Sequence, residues 1–112
     1  TRFLTRMCGR GSVLRIEWHP AAVAELMALS EPDQRRIRKA LHELAGIDDA
    51  RKRLVPYSGN LKGFWKLRCG DFRLVCELTK RGGQVVLIIH LAHRSRIYSK
   101  RGTRTIRSRS AE

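Results

Sequence analysis

Residues Gly59 to Leu78 read GNLKGFWKLRCGDFRLVCEL and leave the chain few ways to fold. The stretch has the pattern of a loop, a strand, a tight turn and a second strand. Side chains alternate along a strand, so Phe64, Lys66 and Arg68 share one face while Trp65, Leu67 and Cys69 share the other. Cys69-Gly70-Asp71 supplies the turn chemistry. Beyond it, Phe72, Leu74, Cys76 and Leu78 form an apolar face, and Arg73, Val75 and Glu77 point the opposite way. One hairpin can bury the first face and present Lys66, Arg68 and Arg73 on the second. Converging cations repel one another, so their gathering asks for a reason. A shared phosphate is one reading, and three unrelated solvated cations in a very basic chain is the other. This stretch by itself weighs the two about equally.

The flanking segments fix what the hairpin can join. Val13–Trp18 alternates Val13, Arg15 and Glu17 with Leu14, Ile16 and Trp18, a strand with one buried face. His19-Pro20 ends it, and Pro20 suits the first turn of a helix. Ala22, Val23, Leu26, Met27 and Leu29 then recur at helical spacing. Ser30-x-x-Asp33 has the form of a capping box, with Pro32 in the first turn of a second helix whose buried stripe is Ile37, Ala40, Leu41 and Leu44. Arg35, Arg36, Arg38 and Lys39 lie off that stripe, as a solvated face or a phosphate-tracking one, and the solvated reading is the simpler. The short break makes the two helices a helical hairpin. Asp48–Gly63 reads as a loop tethered by Leu54, Val55 and Leu61. Lys80–Gly83 is a second turn. Gln84–Ala92 contains Val85-Val86-Leu87-Ile88-Ile89, apolar on both faces, as a central strand is.

The expected fold class is therefore α+β: a small, antiparallel-rich, four-stranded sheet of order β-α-α-β-β-β with the helical hairpin packed on one face. Val13–Trp18 should lie beside the last strand of a three-strand meander. Residues 1–12 read as a disordered leader, 13–100 as the domain, and the Arg- and Ser-rich 101–112 as a disordered basic tail. Between domain and tail, His93–Ser99 leaves the sheet with Arg94 and Tyr98 four residues apart, on one face if the segment is helical.

Charge narrows the partners. The 112 residues carry a net +14 with pI near 11.2. Residues 1–12 and 101–112 supply +3 each, leaving +8 on residues 13–100, so the domain is basic in its own right. That favours nucleic acid or an acidic protein over a neutral metabolite. No apolar run reaches transmembrane length, no signal-peptide core is visible, and no basic amphipathic helix suggests a membrane surface, so a cytoplasmic location is the expectation. Cys8, Cys69 and Cys76 have neither zinc nor redox spacing and read as free thiols; no metal or cofactor is expected.

Three segments in order then carry a resemblance: Leu61-Lys62-Gly63-Phe64-Trp65-Lys66-Leu67-Arg68, Asp71-Phe72-Arg73-Leu74-Val75, and His93-Arg94 followed by Ile97-Tyr98-Ser99. With the strand, two helices and three strands around them, residues 13–100 resemble the RelE/ParE superfamily of bacterial toxins, most closely its RelE-like branch. The resemblance implies the toxin of a type II toxin–antitoxin system, a ribosome-dependent, metal-independent endoribonuclease that cuts mRNA in the A site and inhibits translation. A cognate antitoxin, mRNA and the ribosome would be its partners. ParE-like members share the fold but inhibit DNA gyrase, and a non-catalytic basic RNA- or ribosome-binding domain is a third reading.

On the nuclease reading the matching catalytic positions are Lys66, Arg68, Arg73, Arg94 and Tyr98. Attack by a 2′-hydroxyl needs a proton acceptor, charge stabilisation at phosphorus and help for the leaving oxygen. Lys66 would accept the proton, which requires it to be neutral at that moment. Arg68 and Arg73 would grip the phosphate, Arg94 would stabilise the leaving oxygen, and Tyr98 would stack on or orient a base. His93 is either a surface histidine beside a strand end, the plainer reading, or an auxiliary acid or base. The family often has Lys where Arg68 stands. Its hairpin turn is longer in some members, and Arg94 and Tyr98 are closer together here than in some. His90, Trp18 and Trp65 read as core residues, and Glu25 and Glu43 as exposed helix positions. The joint presence of the five catalytic candidates favours the nuclease over the gyrase inhibitor.

Overall fold

The structure, a computed structural model, describes residues 3–5, 14–80 and 82–110. In chain order its elements are β1 (Phe3–Thr5), β2 (Arg15–Trp18), α1 (Pro20–Met27), α2 (Glu31–Ala45), β3 (Val55–Pro56), β4 (Trp65–Cys69), β5 (Phe72–Lys80), β6 (Gln84–His93) and α3 (Lys100–Ser108). The strands form one sheet in the order β1-β2-β6-β5-β4-β3. The meander β4-β5-β6 is antiparallel, and β2 joins it parallel to β6. The expected four-stranded arrangement is thus present, with β6 inside it. It is widened by β1 against β2 and by the two-residue β3 against β4. Val13, expected to open β2, lies outside the described residues, as do most of the leader and residues 111–112.

The first core forms where the alternation places it. His19 caps α1, its Nδ1 accepting the Ala21 N–H at 3.1 Å. Ser30 caps α2: its Oγ accepts the Asp33 N–H at 3.4 Å and donates to Asp33 Oδ2 at 3.1 Å, so the Asp33 side chain holds the capping hydroxyl instead of the Ser30 N–H that a full capping box would engage. Held this way, α1 and α2 bury Ala22, Leu26, Ile37, Leu41 and Leu44 against Ile16, Trp18, Leu67, Leu74, Val86 and Ile88 of the sheet. In the long loop Leu54 and Leu61 are buried, but the Val55 side chain is exposed and this residue holds the loop only through its strand pairing with β4.

The opposite face of the sheet is covered too, which corrects the reading of both chain ends. A bulge sets Cys76 opposite Ile88 and Val75 opposite His90, leaving Ile89 without a counterpart. Because β6 is apolar on both faces, the alternation does not reveal the extra residue. Leu87, Ile89 and Ala92 then join Val75, Tyr57, Leu61, Ile97 and Ile106 in a second core. Ile106 belongs to α3, so residues 101–108 of the expected disordered tail lie in a docked helix. Its Ser99 cap accepts the Gly102 N–H at 3.0 Å. Gly102 is buried so closely on the preceding turn that a Cβ there would collide with the carbonyl oxygens of Arg96 and Ile97. Arg107 reaches the carbonyl of Asn60. Gly102, Ile106 and Arg109, at helical spacing, are the inward stripe that the basic composition hid. In the leader, Phe3–Thr5 is the paired strand β1 rather than disordered chain.

One edge of the sheet needs a different solution. β2 ends where Trp18 faces Ile88, yet β6 runs on to His93. Side chains take the place of the missing strand. Glu25 Oε1 accepts the Leu91 N–H at 3.0 Å, and Arg109 Nη1 donates to the Ile89 carbonyl at 3.0 Å and to Glu25 Oε1 at 2.8 Å. His90 Nδ1 lies 3.0 Å from Glu25 Oε2, so His90 is the hydrogen-bonded core residue expected of it. Glu25 is half-buried here rather than on an open helix face, whereas Glu43 is exposed. Burial pushes the Glu25 carboxyl up, but the hydrogen bonds from His90, Arg109 and Leu91 outweigh it and leave the group below its ordinary value.

Two outcomes are expected. Amide exchange should be slowest at Val86–Ile88, where the strand has neighbours on both sides and a core on both faces; rapid exchange there would contradict the arrangement. A depressed carboxyl contributes stability that is present above its unfolded-state pKa and lost as pH falls through the folded one. Glu25→Gln should therefore cost about 1–3 kcal/mol at neutral pH, and denaturant titrations of the two proteins should converge at acid pH.

Candidate active site

The site begins at the two-residue turn between β4 and β5. Gly70, at φ +59°, takes the left-handed conformation the first turn position requires. The ladder sets Arg68 directly opposite Arg73. Arg73 Nη1 donates to the Gly70 carbonyl at 2.8 Å and to the Phe72 carbonyl at 2.9 Å. The Arg94 N–H donates to the Asp71 carbonyl at 2.8 Å, and Arg94 Nε lies 3.6 Å from Asp71 Oδ1. An exposed pair like the latter adds little stability. Its effect is to orient Arg94. One tight turn thus holds both arginines.

Residues 94–98 follow β6 as successive tight turns rather than a helix: Arg96 N–H bonds to the His93 carbonyl at 2.9 Å and Ser99 N–H to the Arg96 carbonyl at 3.3 Å. Arg94 and Tyr98 nonetheless reach the same wall, because Ile97 between them is fully buried in the second core. A cavity of about 520 Å³ is lined by Tyr57, Lys66, Arg68, Arg73, His93, Arg94, Ser95 and Tyr98. All six residues picked from the sequence are therefore brought together. Tyr57 and Ser95 are additions.

Tyr57 lies in a loop with no alternation to flag it, and an aromatic amid Pro and Gly in so basic a chain was its one signal. Its backbone N–H bonds to the Phe64 carbonyl at 2.9 Å. Lys66 Nζ sits 5.3 Å from its ring centroid, and the Tyr98 ring meets it edge-on at 5.9 Å. A π face attracts an ammonium without neutralising it. The Tyr57 hydroxyl is buried with no hydrogen-bond partner among the described residues, and burial first of all pushes its phenol up, so it stays protonated. His93 is fixed differently. Its Nδ1 accepts the Ser95 N–H at 3.2 Å and lies 2.9 Å from Ser95 Oγ. With that nitrogen occupied as an acceptor, the ring presents Nε2–H, a donor.

Other candidates fall away. Cys69 and Cys76 are buried free thiols, with Cys76 pushed up to about 12 by burial, unlike a reactive thiolate. On α2, Arg36 lies 3.8 Å from Asp33 and Arg38 3.5 Å from Glu31, the pairs of a solvated face. Among the described residues no group of three His, Cys, Asp or Glu side chains is placed to hold a metal, and no helix is long and apolar enough to cross a membrane.

The family described as ParE toxin of type II toxin-antitoxin system, parDE, matches residues 16–98. The chain belongs to that toxin family. Its fold agrees with solved relatives in the RelE/ParE superfamily. The toxin–antitoxin complex RelBE2 from Mycobacterium tuberculosis aligns at TM-score 0.51 and 26% identity, covering 70% of this chain and 95% of the other. The RelB-RelE complex from Methanococcus jannaschii aligns at TM-score 0.52 over 72% of this chain and 93% of the other, and at 16% identity it speaks to fold alone. Comparison with curated proteins gives no match. The family match spans every residue of the cavity.

For this family member, Tyr57→Phe should be neutral or stabilising by up to about 1 kcal/mol, since it removes a buried hydroxyl with no partner among the described residues. Tyr57→Ala should cost about 3–5 kcal/mol by opening the second core. Thermal unfolding of both variants checks this; marked destabilisation by Phe would show that the hydroxyl has a partner.

Proposed function

We propose that this type II toxin cleaves mRNA on the ribosome by metal-independent attack of a 2′-hydroxyl on the adjacent phosphodiester. The observation that carries the reading is the convergence of Lys66, Arg68, Arg73 and Arg94 with Tyr98 and His93 on one open cavity. Four cations against each other cost energy unless an anion arrives, and a phosphodiester gaining charge in its transition state is the anion such a cluster suits. Arg73, anchored on the turn carbonyls, and Arg68 opposite it hold the non-bridging oxygens. Lys66, positioned by an uncharged ring, takes the 2′-hydroxyl proton in its neutral form, the ammonium having first given up a proton to solvent. The 2′-oxygen bonds to phosphorus as the bond to the 5′-oxygen breaks, leaving a 2′,3′-cyclic phosphate. Arg94 stabilises the departing oxygen, which is protonated by water because a guanidinium rarely releases its proton. His93 acts as an Nε2–H donor to the phosphate, and Tyr98 stacks on a base.

The ribosome supplies what so small a domain cannot, a message held in in-line geometry. The domain's surplus of +8 over residues 13–100 fits an antitoxin whose contacting segment is at least partly acidic. The solved relatives are toxin–antitoxin complexes, which supports a cognate antitoxin as partner. The description of the matched family favours a second reading, a DNA gyrase inhibitor in which the same cations face protein or DNA.

Arg73→Ala or Arg94→Ala should slow cleavage on programmed ribosomes by ~100-fold or more, the scale of losing one oxyanion donor. Both side chains project from the sheet rather than into a core, so folding should survive. Lys66→Arg keeps the charge but cannot act as a base, and should lose activity comparably. Mapping transcript ends after induction separates the readings: codon-phased cuts support the nuclease, and DNA-damage signalling with intact messages supports the gyrase inhibitor. Folded arginine variants that cut at the parent rate would end the nuclease reading.

A further inference from the structure

A second groove, of about 950 Å³, runs between the end of α1, the free edge of β6 and the start of α3. It meets the first cavity at His93 and Ser95, which line both. We propose that this groove binds the nucleotide next to the cleaved one, so that a single strand crosses the end of β6 from one cavity into the other. The proposal rests on the nuclease reading of the first cavity.

Its chemistry is that of a nucleotide. One wall is apolar: the half-buried Phe72, whose ring meets His93 edge-on at 5.9 Å, offers a face on which a base can lie, with the buried Leu91 behind it. The other wall carries Arg96 and Arg101, both exposed and neither paired with a carboxylate among the described residues. The one acidic side chain lining the groove, Glu25, is already engaged by Arg109, His90 and the Leu91 N–H. The groove therefore keeps a net cationic character beside an apolar floor. Because β6 ends at the shared residues, a backbone leaving the first cavity there passes directly onto Arg96 and Arg101.

The test uses fluorescein-labelled 2′-O-methyl oligoribonucleotides, which cannot be cleaved, of two and four nucleotides. Anisotropy titrations compare the parent with Arg96→Ala/Arg101→Ala and with Arg35→Ala/Lys39→Ala, which removes equal charge from α2. The parent should bind the four-nucleotide probe more tightly than the two-nucleotide probe. The groove variant should lose most of that gain, roughly tenfold, with a salt slope lower by about 0.7 per cation. The α2 variant should keep it. The proposal is overturned if the groove variant retains the length-dependent gain, if the α2 variant loses as much, or if the groove variant fails only in binding an acidic antitoxin peptide. Arg73→Ala should weaken both probes alike. That result, together with cleavage on ribosomes by the parent, reports on the first cavity and separates failure of the groove from failure of the nuclease reading.

Discussion

A strand that is apolar on both faces cannot be left half covered. β6 carries Val86 and Ile88 toward one side and Leu87 and Ile89 toward the other, and each exposed aliphatic would forgo about 1.5–3 kcal/mol of burial. The helical hairpin α1–α2 satisfies one face. The other requires a second layer, assembled from the Gly59–Leu61 turn, Ile97 and the C-terminal helix α3. That second layer is incomplete. Where it stops, the cationic side chains of β4 and β5 remain open to solvent, and the cavity lies at this boundary between covered and uncovered sheet.

The boundary explains how a basic chain tolerates its own site. Lys66, Arg68, Arg73 and Arg94 are held near one another by neutral or weakly paired groups: two carbonyls for Arg73, an exposed carboxylate for Arg94, and an aromatic face for Lys66. None of these holds its cation in a strong, buried ion pair. The cluster is held together by these contacts yet unspent in charge, the condition under which an incoming anion gains most. Where the protein does neutralise charge strongly, at Glu25, Arg109 and His90, the purpose is structural: the three close an open strand edge and fasten the end of α3.

Much of this was legible in the residues. Period-two alternation fixed which face of β4 and β5 is cationic, because a side chain on a strand has only two directions to choose from. Ser30 with Asp33 marked the start of α2, and the apolar run Val85–Ile89 marked the central strand. The bulge at Ile89 left no trace, since a strand apolar on both sides loses nothing recognisable when its phase shifts. The helix α3 was hidden by its composition: one lysine and three arginines outweighed Gly102 and Ile106, whose inward positions have meaning only against a surface that lies elsewhere in the chain.

The sequence alone determined the α+β class, the strand order of the meander, the two helices and the identity of the cations that share a face. These follow from local periodicity and capping, which act over a few residues. Only the tertiary structure decided that Arg94, Tyr98, His93 and Tyr57 meet those cations. Tyr57 arrives from a loop, His93 from the end of β6, and Arg94 and Tyr98 from the turns after it, and their positions depend on the burial of Ile97 and on the docking of α3 over the second core. Contacts between segments far apart in the chain depend on which surfaces are left to cover, and no local pattern records that.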